Sequence, residues 1–156
     1  MAPTVETIEP GAPRESWTAL LRLADEPLPL SRVLHEGVLY GIRAEDSHPV
    51  AAVLVIDHGR GSAELRAVAV AEPAQGRGLG TWIVSSVCDR LRAEGAKRVI
   101  VGTASSGLRQ LGFYQRLGFR LSHIERDYFT PERGYPPDLS ENGISSRDIV
   151  WMDQAL

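Results

Sequence analysis

Val68-Ala69-Val70-Ala71-Glu72-Pro73-Ala74-Gln75-Gly76-Arg77-Gly78-Leu79-Gly80-Thr81-Trp82-Ile83-Val84 changes its pattern twice. The run ending at Ala71 is small and β-branched, as in a buried strand. Glu72-Pro73 breaks it, because proline cannot donate to a sheet ladder. Three glycines then fall within five positions, at 76, 78 and 80. From Leu79 the apolar period becomes helical, with Leu79, Ile83, Val87 and Leu91 on one face and Val84 and Cys88 beside it. A glycine loop that opens a helix aims free backbone N–H groups at one spot, where the helix dipole adds partial positive charge. That is a place for a phosphate or pyrophosphate, and Arg77 supplies a full charge next to it.

Two familiar phosphate loops do not fit. A Walker loop needs Gly-Lys-Ser/Thr, and no lysine precedes Thr81. A dinucleotide fingerprint needs Gly-x-Gly-x-x-Gly and an acid about 20 residues on. Here the spacing is Gly76-x-Gly78-x-Gly80, and the next strand, Arg98–Val101, ends without an acid. What remains is Gln75-x-x-Gly78-x-Gly80 after a Val-Ala-Val strand. Downstream stands Gly112-Phe113-Tyr114-Gln115-Arg116-Leu117-Gly118-Phe119. The first motif resembles the acyl-CoA pyrophosphate loop of the GNAT superfamily of N-acyltransferases. The second resembles that family's Phe-Tyr-x-x-x-Gly-Phe segment. The stretches Gly102–Phe119, 125–129 and 141–143 are similar to one bacterial branch of the superfamily.

The resemblance implies an α/β GNAT fold: a mixed, mostly antiparallel sheet, splayed at the CoA site and flanked by helices. It implies acetyl-CoA as cosubstrate and no metal. The implied cofactor contacts are Val68, Ala69, Val70, Gln75, Gly76, Arg77, Gly78, Leu79, Gly80, Thr81 and Tyr114. Many family members carry an asparagine seven residues before the tyrosine; here that position is Gly107. Ser105, or Ser106, is the substitute expected at the pantetheine arm. Tyr114 is implied as the general acid near the CoA sulfur, the alternative for such a tyrosine being a half-buried core position. The backbone N–H of Val70 is implied as an oxyanion donor.

Composition sets the remaining bounds. A chain of 156 residues, 43% of them hydrophobic, can build one domain with a substantial core, so residues 1–156 are read as a single domain. A net charge of −3 gives no electrostatic case for nucleic acid. No apolar run approaches the ~20 residues of a membrane span. Met1–Pro13 has neither a basic start nor an apolar core, so no secretory signal is expected. The single cysteine, Cys88, lies on the apolar side of its helix and reads as core; a reducing cytoplasm is the expected setting. A homodimer is kept open. Four scattered histidines give no metal spacing, and His48 and His58 read as turn residues.

Taken in order, the chain predicts a short strand over Thr4–Ile8 and a helix over Glu15–Ala24 with Trp17 in the core. Asp25–Pro29, with two prolines, predicts a break, and Leu30–His35 a helical turn. Strands are expected over Val38–Glu45, Val50–Asp57 and Ser62–Ala71, joined as an antiparallel meander. Then come a helix over Leu79–Glu94, a short strand Arg98–Val101, and a polar loop Thr103–Gly107. A helix Leu108–Leu117, a strand to about Ile124, a long loop Thr130–Gly143 and a last strand Ser145–Met152 complete the chain.

The chemistry asks for two proton carriers. An amine with a pKa near about 10.4 must lose a proton to attack, and the departing thiolate benefits from gaining one. Glu64, eleven residues before Gln75, is the expected base. The alternatives for it are an exposed strand end or acceptor binding. Glu125 and Asp127 are the runners-up. Together these point to an N-acetyltransferase that moves the acetyl group of acetyl-CoA to a primary amine of a small molecule or peptide by direct ternary-complex attack. Cys88 is no suitable nucleophile, so no acyl-enzyme is expected. The other reading is a catalytically idle acyl-CoA-binding module. Thr130–Gly143 is expected either to border the acceptor site or to serve as a connector.

Overall fold

The computed structural model describes residues 2–156, so Met1 of the stretch read for a leader lies outside it. Its strands are β1 (Glu6–Ile8), β2 (Val38–Arg43), β3 (Pro49–Gly59), β4 (Ser62–Val70), β5 (Arg98–Ala104), β6 (Arg120–Glu125), β7 (Ser140–Glu141), β8 (Ile144–Ser145) and β9 (Ile149–Ala155). The helices are α1 (Glu15–Leu21), α2 (Pro27–Val33), α3 (Leu79–Ala93) and α4 (Leu108–Arg116), with single 3-10 turns at Glu72–Ala74 and Pro131–Arg133. Seven strands form one sheet in the order β1-β2-β3-β4-β5-β9-β6, and β7 and β8 form a small separate ribbon. Every neighbouring pair is antiparallel except β4 and β5.

That parallel pair is short. It holds only at Ser62↔Arg98, Ala63↔Val99 and Glu64↔Ile100. Beyond Glu64, β4 stays with β3 as far as Val70 while β5 stays with β9 as far as Ala104, so a gap opens between them. At the same point β4 bulges. Leu54 pairs with Ala67 and Val55 with Leu65, leaving Arg66 extra. The bulge turns the following residues over. Ala63 and Leu65 pack on the α3 side, whereas Ala67 and Ala69 pack on the α1–α2 side. The sequence places Ala63, Leu65, Ala67 and Ala69 at every second position straight through the bulge and so conceals this switch.

The sheet has a core on each face. Ile83, Val84 and Val87 of α3 cover Val53, Val99 and Met152 on one side. Trp17 and Leu21 of α1 and Leu30 of α2 cover Leu39 and Leu54 on the other. Trp17 and Cys88 are both core residues, as read from their spacing.

Several boundaries differ from expectation, each for a physical reason. The two prolines read as a break instead start α2, with Pro27 in the first helical turn, where a missing N–H costs nothing. The first helix ends three residues early, at Leu21. β5 continues through Thr103 and Ala104, because β9 supplies a ladder partner for each. Ser145 belongs to the β7–β8 ribbon and the last strand begins at Ile149. His58 lies within β3 rather than in a turn.

Arg14 holds the first forty residues together. Its side chain is fully buried and donates to four carbonyls: Leu34 at 2.7 Å, Gly37 at 2.8 Å, Ile8 at 2.9 Å and Glu36 at 3.0 Å. Burial pushes the guanidinium below its ordinary range, with Glu9 acting in the opposite direction. Arg14→Ala strands several buried carbonyls at once. Unfolding in urea should show a loss of roughly 3 kcal/mol, the scale of a few lost bonds to a charged donor.

Candidate active site

The glycine loop is built by backbone conformation. Gly76 and Gly78 sit at φ +76° and +79°, a region that disfavours side chains, and a Cβ on either would point into open space. Gly78 is the N-cap of α3, and no side chain bonds the first-turn amides. No acidic residue stands in that turn. The amides of Leu79, Gly80 and Thr81 are therefore left for an external anion. Gln75 closes the loop, its Nε2 donating to the Val70 carbonyl at 2.9 Å. Gly80 is not left-handed, and a Cβ there would make ordinary contacts with Phe113 at 3.4 Å and Val70 at 3.6 Å. The protein's own atoms do not demand glycine at 80.

A groove of about 360 Å³ runs from this loop between α3 and α4 to the end of β4. Val68, Ala69, Val70, Gln75, Gly76, Gly78, Leu79, Gly80, Thr81 and Tyr114 all line it. Arg109, Phe113 and Arg116 line it too. The two arginines bring positive charge that the sequence reading missed; their spacing from Phe113 along α4 was the available signal. The donors, the open loop and this charge fit a CoA pyrophosphate. Arg77 is exposed and lines neither this groove nor the cavity described next. Ser105 also lines neither; its N–H donates to the Asp148 carbonyl. Ser106 is fully buried, with its Oγ 2.7 Å from Ser146 Oγ and its carbonyl accepting from Asn142.

A second cavity, of about 530 Å³, lies on the α1–α2 side of the gap. It meets the groove at Leu23, Val68, Gln110 and Tyr114, which line both. Tyr114 thus stands where the two join. It is nearly buried and packs edge-on against Phe113 at 5.0 Å and Phe119 at 5.5 Å. Burial pushes its phenol well above the ordinary range, so it keeps its proton throughout neutral pH. Gly118, at φ +96°, ends α4 and lets the Phe119 N–H bond back to the Tyr114 carbonyl at 3.0 Å.

Strand geometry also sets the amides of β4. The Ala71 N–H donates to Val50 on β3 at 2.8 Å. Alternation then directs the N–H groups of Val68 and Val70 to the other edge, which β5 has left.

Glu64 lines the second cavity, its side chain 12% exposed. It does not stand free at a strand end: His58 Nε2 lies 2.7 Å from its Oε1. The histidine, 45% exposed, connects this carboxylate to solvent. Sequence reading passed over it, although a hairpin that pairs Ile56 with Glu64 brings position 58 alongside. Glu125 and Asp127 lie outside both cavities. Glu125 pairs with Arg133 at 3.1 Å, and Asp127 with Arg147 at 2.6 Å. Acidity in the cavity comes instead from Asp25, Glu26 and Glu141, alongside Glu64. Asp25 is nine-tenths buried and lies 2.9 Å from Arg66, the bulge residue; it also accepts from the Tyr135 hydroxyl at 3.0 Å. Among the described residues no cluster of histidine, cysteine and carboxylates could hold a metal ion.

Comparison with known proteins agrees with this geometry. The sequence model of the acetyltransferase (GNAT) family matches residues 5–119. The uncharacterized N-acetyltransferase YvbK of Bacillus subtilis (strain 168) is 35% identical over 133 residues, 84% of this chain and 83% of that one. A GNAT family acetyltransferase from Elizabethkingia anophelis, solved with acetyl-CoA bound, superposes with a TM-score of 0.87 at 27% identity, over 98% of this chain and 97% of that one. A Bacillus subtilis acetyltransferase in complex with CoA gives 0.85 at 30% identity, over 99% of each chain. With the splayed strands, the open glycine loop and this match over most of its length, the chain belongs to the acetyltransferase (GNAT) family.

Proposed function

We propose that the protein, acting as one domain over residues 1–156, transfers the acetyl group of acetyl-CoA to a primary amine by direct attack. The observation that carries this reading is the meeting of two cavities at Tyr114, one suited to a CoA pyrophosphate and one lined by Glu64. Acetyl-CoA supplies the activated thioester. The chain's residues divide the rest of the work.

The loop amides of residues 79–81, with Arg109 and Arg116, hold the pyrophosphate. The Val68 and Val70 amides face the gap and suit the arm and the thioester carbonyl, where a positioned N–H stabilises developing negative charge. Glu64 takes the proton of the acceptor's ammonium, oriented for this by His58. The free amine attacks and forms the carbon–nitrogen bond, the carbon–sulfur bond breaks, and the Tyr114 hydroxyl gives its proton to the departing sulfur; the new amide nitrogen then sheds its extra proton to solvent, from which the phenol is restored. No cysteine is needed: Cys88 is buried and its thiol is pushed up to about 11 by that burial. Among the described residues no helix is long and apolar enough to cross a membrane. A cytoplasmic setting suits a chain whose one thiol is free and internal.

Two substitutions test these roles. Tyr114→Phe keeps the ring packing and deletes the proton, so kcat should fall by ~10²-fold or more with CoA affinity unchanged. Wild-type turnover would remove Tyr114 from the chemistry. Glu64→Gln should lose most activity at neutral pH. It should recover part of it as pH rises toward the amine's pKa of about 10.4, where the substrate deprotonates unaided. A loss of equal size at every pH would make Glu64 a binding or structural residue.

A further inference from the structure

The second cavity has a composition of its own, and the chemical class of acceptor can be read from it. Besides Tyr114, four aromatic rings line it: Tyr128, Phe129, Tyr135 and Trp151. They brace one another. Tyr128 meets Trp151 edge-on at 6.3 Å, and Phe129 meets Tyr135 edge-on at 4.9 Å. The Arg133 guanidinium covers Tyr128 at 4.3 Å.

The position of Trp151 depends on Gly102. These residues are register partners on β9 and β5. A Cβ on Gly102 would meet Trp151 Cζ3 at 2.9 Å and Ile149 Cδ1 at 2.6 Å. The missing side chain thus lets the indole lie down across β5. Glu64 pairs in register with Ile100, two residues before Gly102, so Glu64 and the indole share one face of the sheet.

The charges are also sorted. Asp25 is held by Arg66 and by Tyr135, so its charge is already met inside the cavity. Glu141 is exposed and faces the Gln110 amide at 3.4 Å. Glu64 has only a histidine beside it, and it is the carboxylate at the gap. One ammonium therefore has a partner at the transfer point. Deeper in the cavity the Arg66 guanidinium repels a second ammonium and Asp25 is already paired, and the remaining carboxylate of the lining is Glu26, the N-cap residue of α2. An aromatic ring finds flat apolar surface there and gains from stacking or edge contact.

Resting on the acetyl-transfer reading above, we propose that the acceptor is an amine that carries an aromatic ring. Its ammonium faces Glu64 and its ring lies against Trp151 and Tyr128. The loop over residues 130–143 forms the far wall through Tyr135. That loop is seated on α2, where a Cβ on Gly134 would come within 3.1 Å of Leu28 and Pro29. A cavity of about 530 Å³ is in the range used for small organic ligands.

The test compares 2-phenylethylamine, n-hexylamine and 1,6-diaminohexane. Thiol release from acetyl-CoA gives kcat/KM for each, and calorimetry on the CoA-loaded protein gives each Kd. 2-Phenylethylamine should bind and react at least tenfold better than either aliphatic amine. Trp151→Leu, which keeps apolar bulk but removes the ring, should erase that preference while CoA affinity holds. If this variant does not fold, Trp151→Phe should retain the preference and the wild-type ranking decides.

Equal or better binding of either aliphatic amine, or no binding of 2-phenylethylamine, overturns the inference. Tight, Trp151-dependent binding of 2-phenylethylamine without thiol release would leave the acceptor class standing and overturn the transfer reading. Release with 1,6-diaminohexane as the best substrate would do the reverse.

Discussion

Two parallel strands that hydrogen-bond over three residue pairs and then part are the constraint on which this molecule depends. β4 and β5 stay together only from Ser62 to Glu64 and from Arg98 to Ile100. A sheet interior does not ordinarily leave amides unpaired, because each buried one is costly. Here the two strands remain fixed by their other neighbours, β3 and β9, so the gap cannot close. The bulge at Arg66 marks the parting and turns β4 over. The result is a pair of outward-aimed amides, Val68 and Val70, between the groove at the glycine loop on one face and the cavity lined by Glu64 on the other.

Everything else supports the edges of that gap. α3 must begin just past the end of β4 for its first-turn amides to reach the same groove, and the left-handed Gly76 and Gly78 make the turn short enough. α4 must end in a tight reversal so that Tyr114 is pinned between Phe113 and Phe119 at the junction. On the other face, Arg14 fastens the carbonyls around the α2–β2 connection, while Asp25 ties the chain before α2 to Arg66 and Tyr135. The cavity lined by Glu64 is walled by the same ion pair that joins the N-terminal helices to the sheet.

Much of this is legible in the sequence. The change of period at Leu79 located α3, the Gly–Phe at 118–119 ended α4, and the short turns of residues 38–71 announced a meander. The family resemblance supplied the splay and the cofactor. What was not legible depends on contacts between distant segments. Asp25 looked like part of a proline-rich break, because nothing local shows that Arg66 and Tyr135 converge on it. Glu125 and Asp127 read equally as runner-up bases or as part of a solvated strand face; they line neither cavity, Arg133 and Arg147 pair with them, and Glu125 also faces the Trp151 indole N–H. The bulge kept a regular alternation in the sequence while reversing the faces, so Ala67 and Ala69 could not be assigned to the α1–α2 side from pattern alone. Ser105 was placed by analogy with a missing asparagine, and the chain uses that corner to anchor the β7–β8 ribbon through Ser106 instead.

The central claim is that the unpaired edge of β4 receives acetyl-CoA. Amide hydrogen exchange resolved by residue, with and without acetyl-CoA, tests it directly. Val68 and Val70 should exchange faster than Ala69 and Ala71 in the free protein, because β3 already holds the latter pair. Acetyl-CoA should then slow Val68, Val70 and the amides of Leu79, Gly80 and Thr81. Unchanged exchange at Val68 and Val70 under saturating acetyl-CoA would contradict the account.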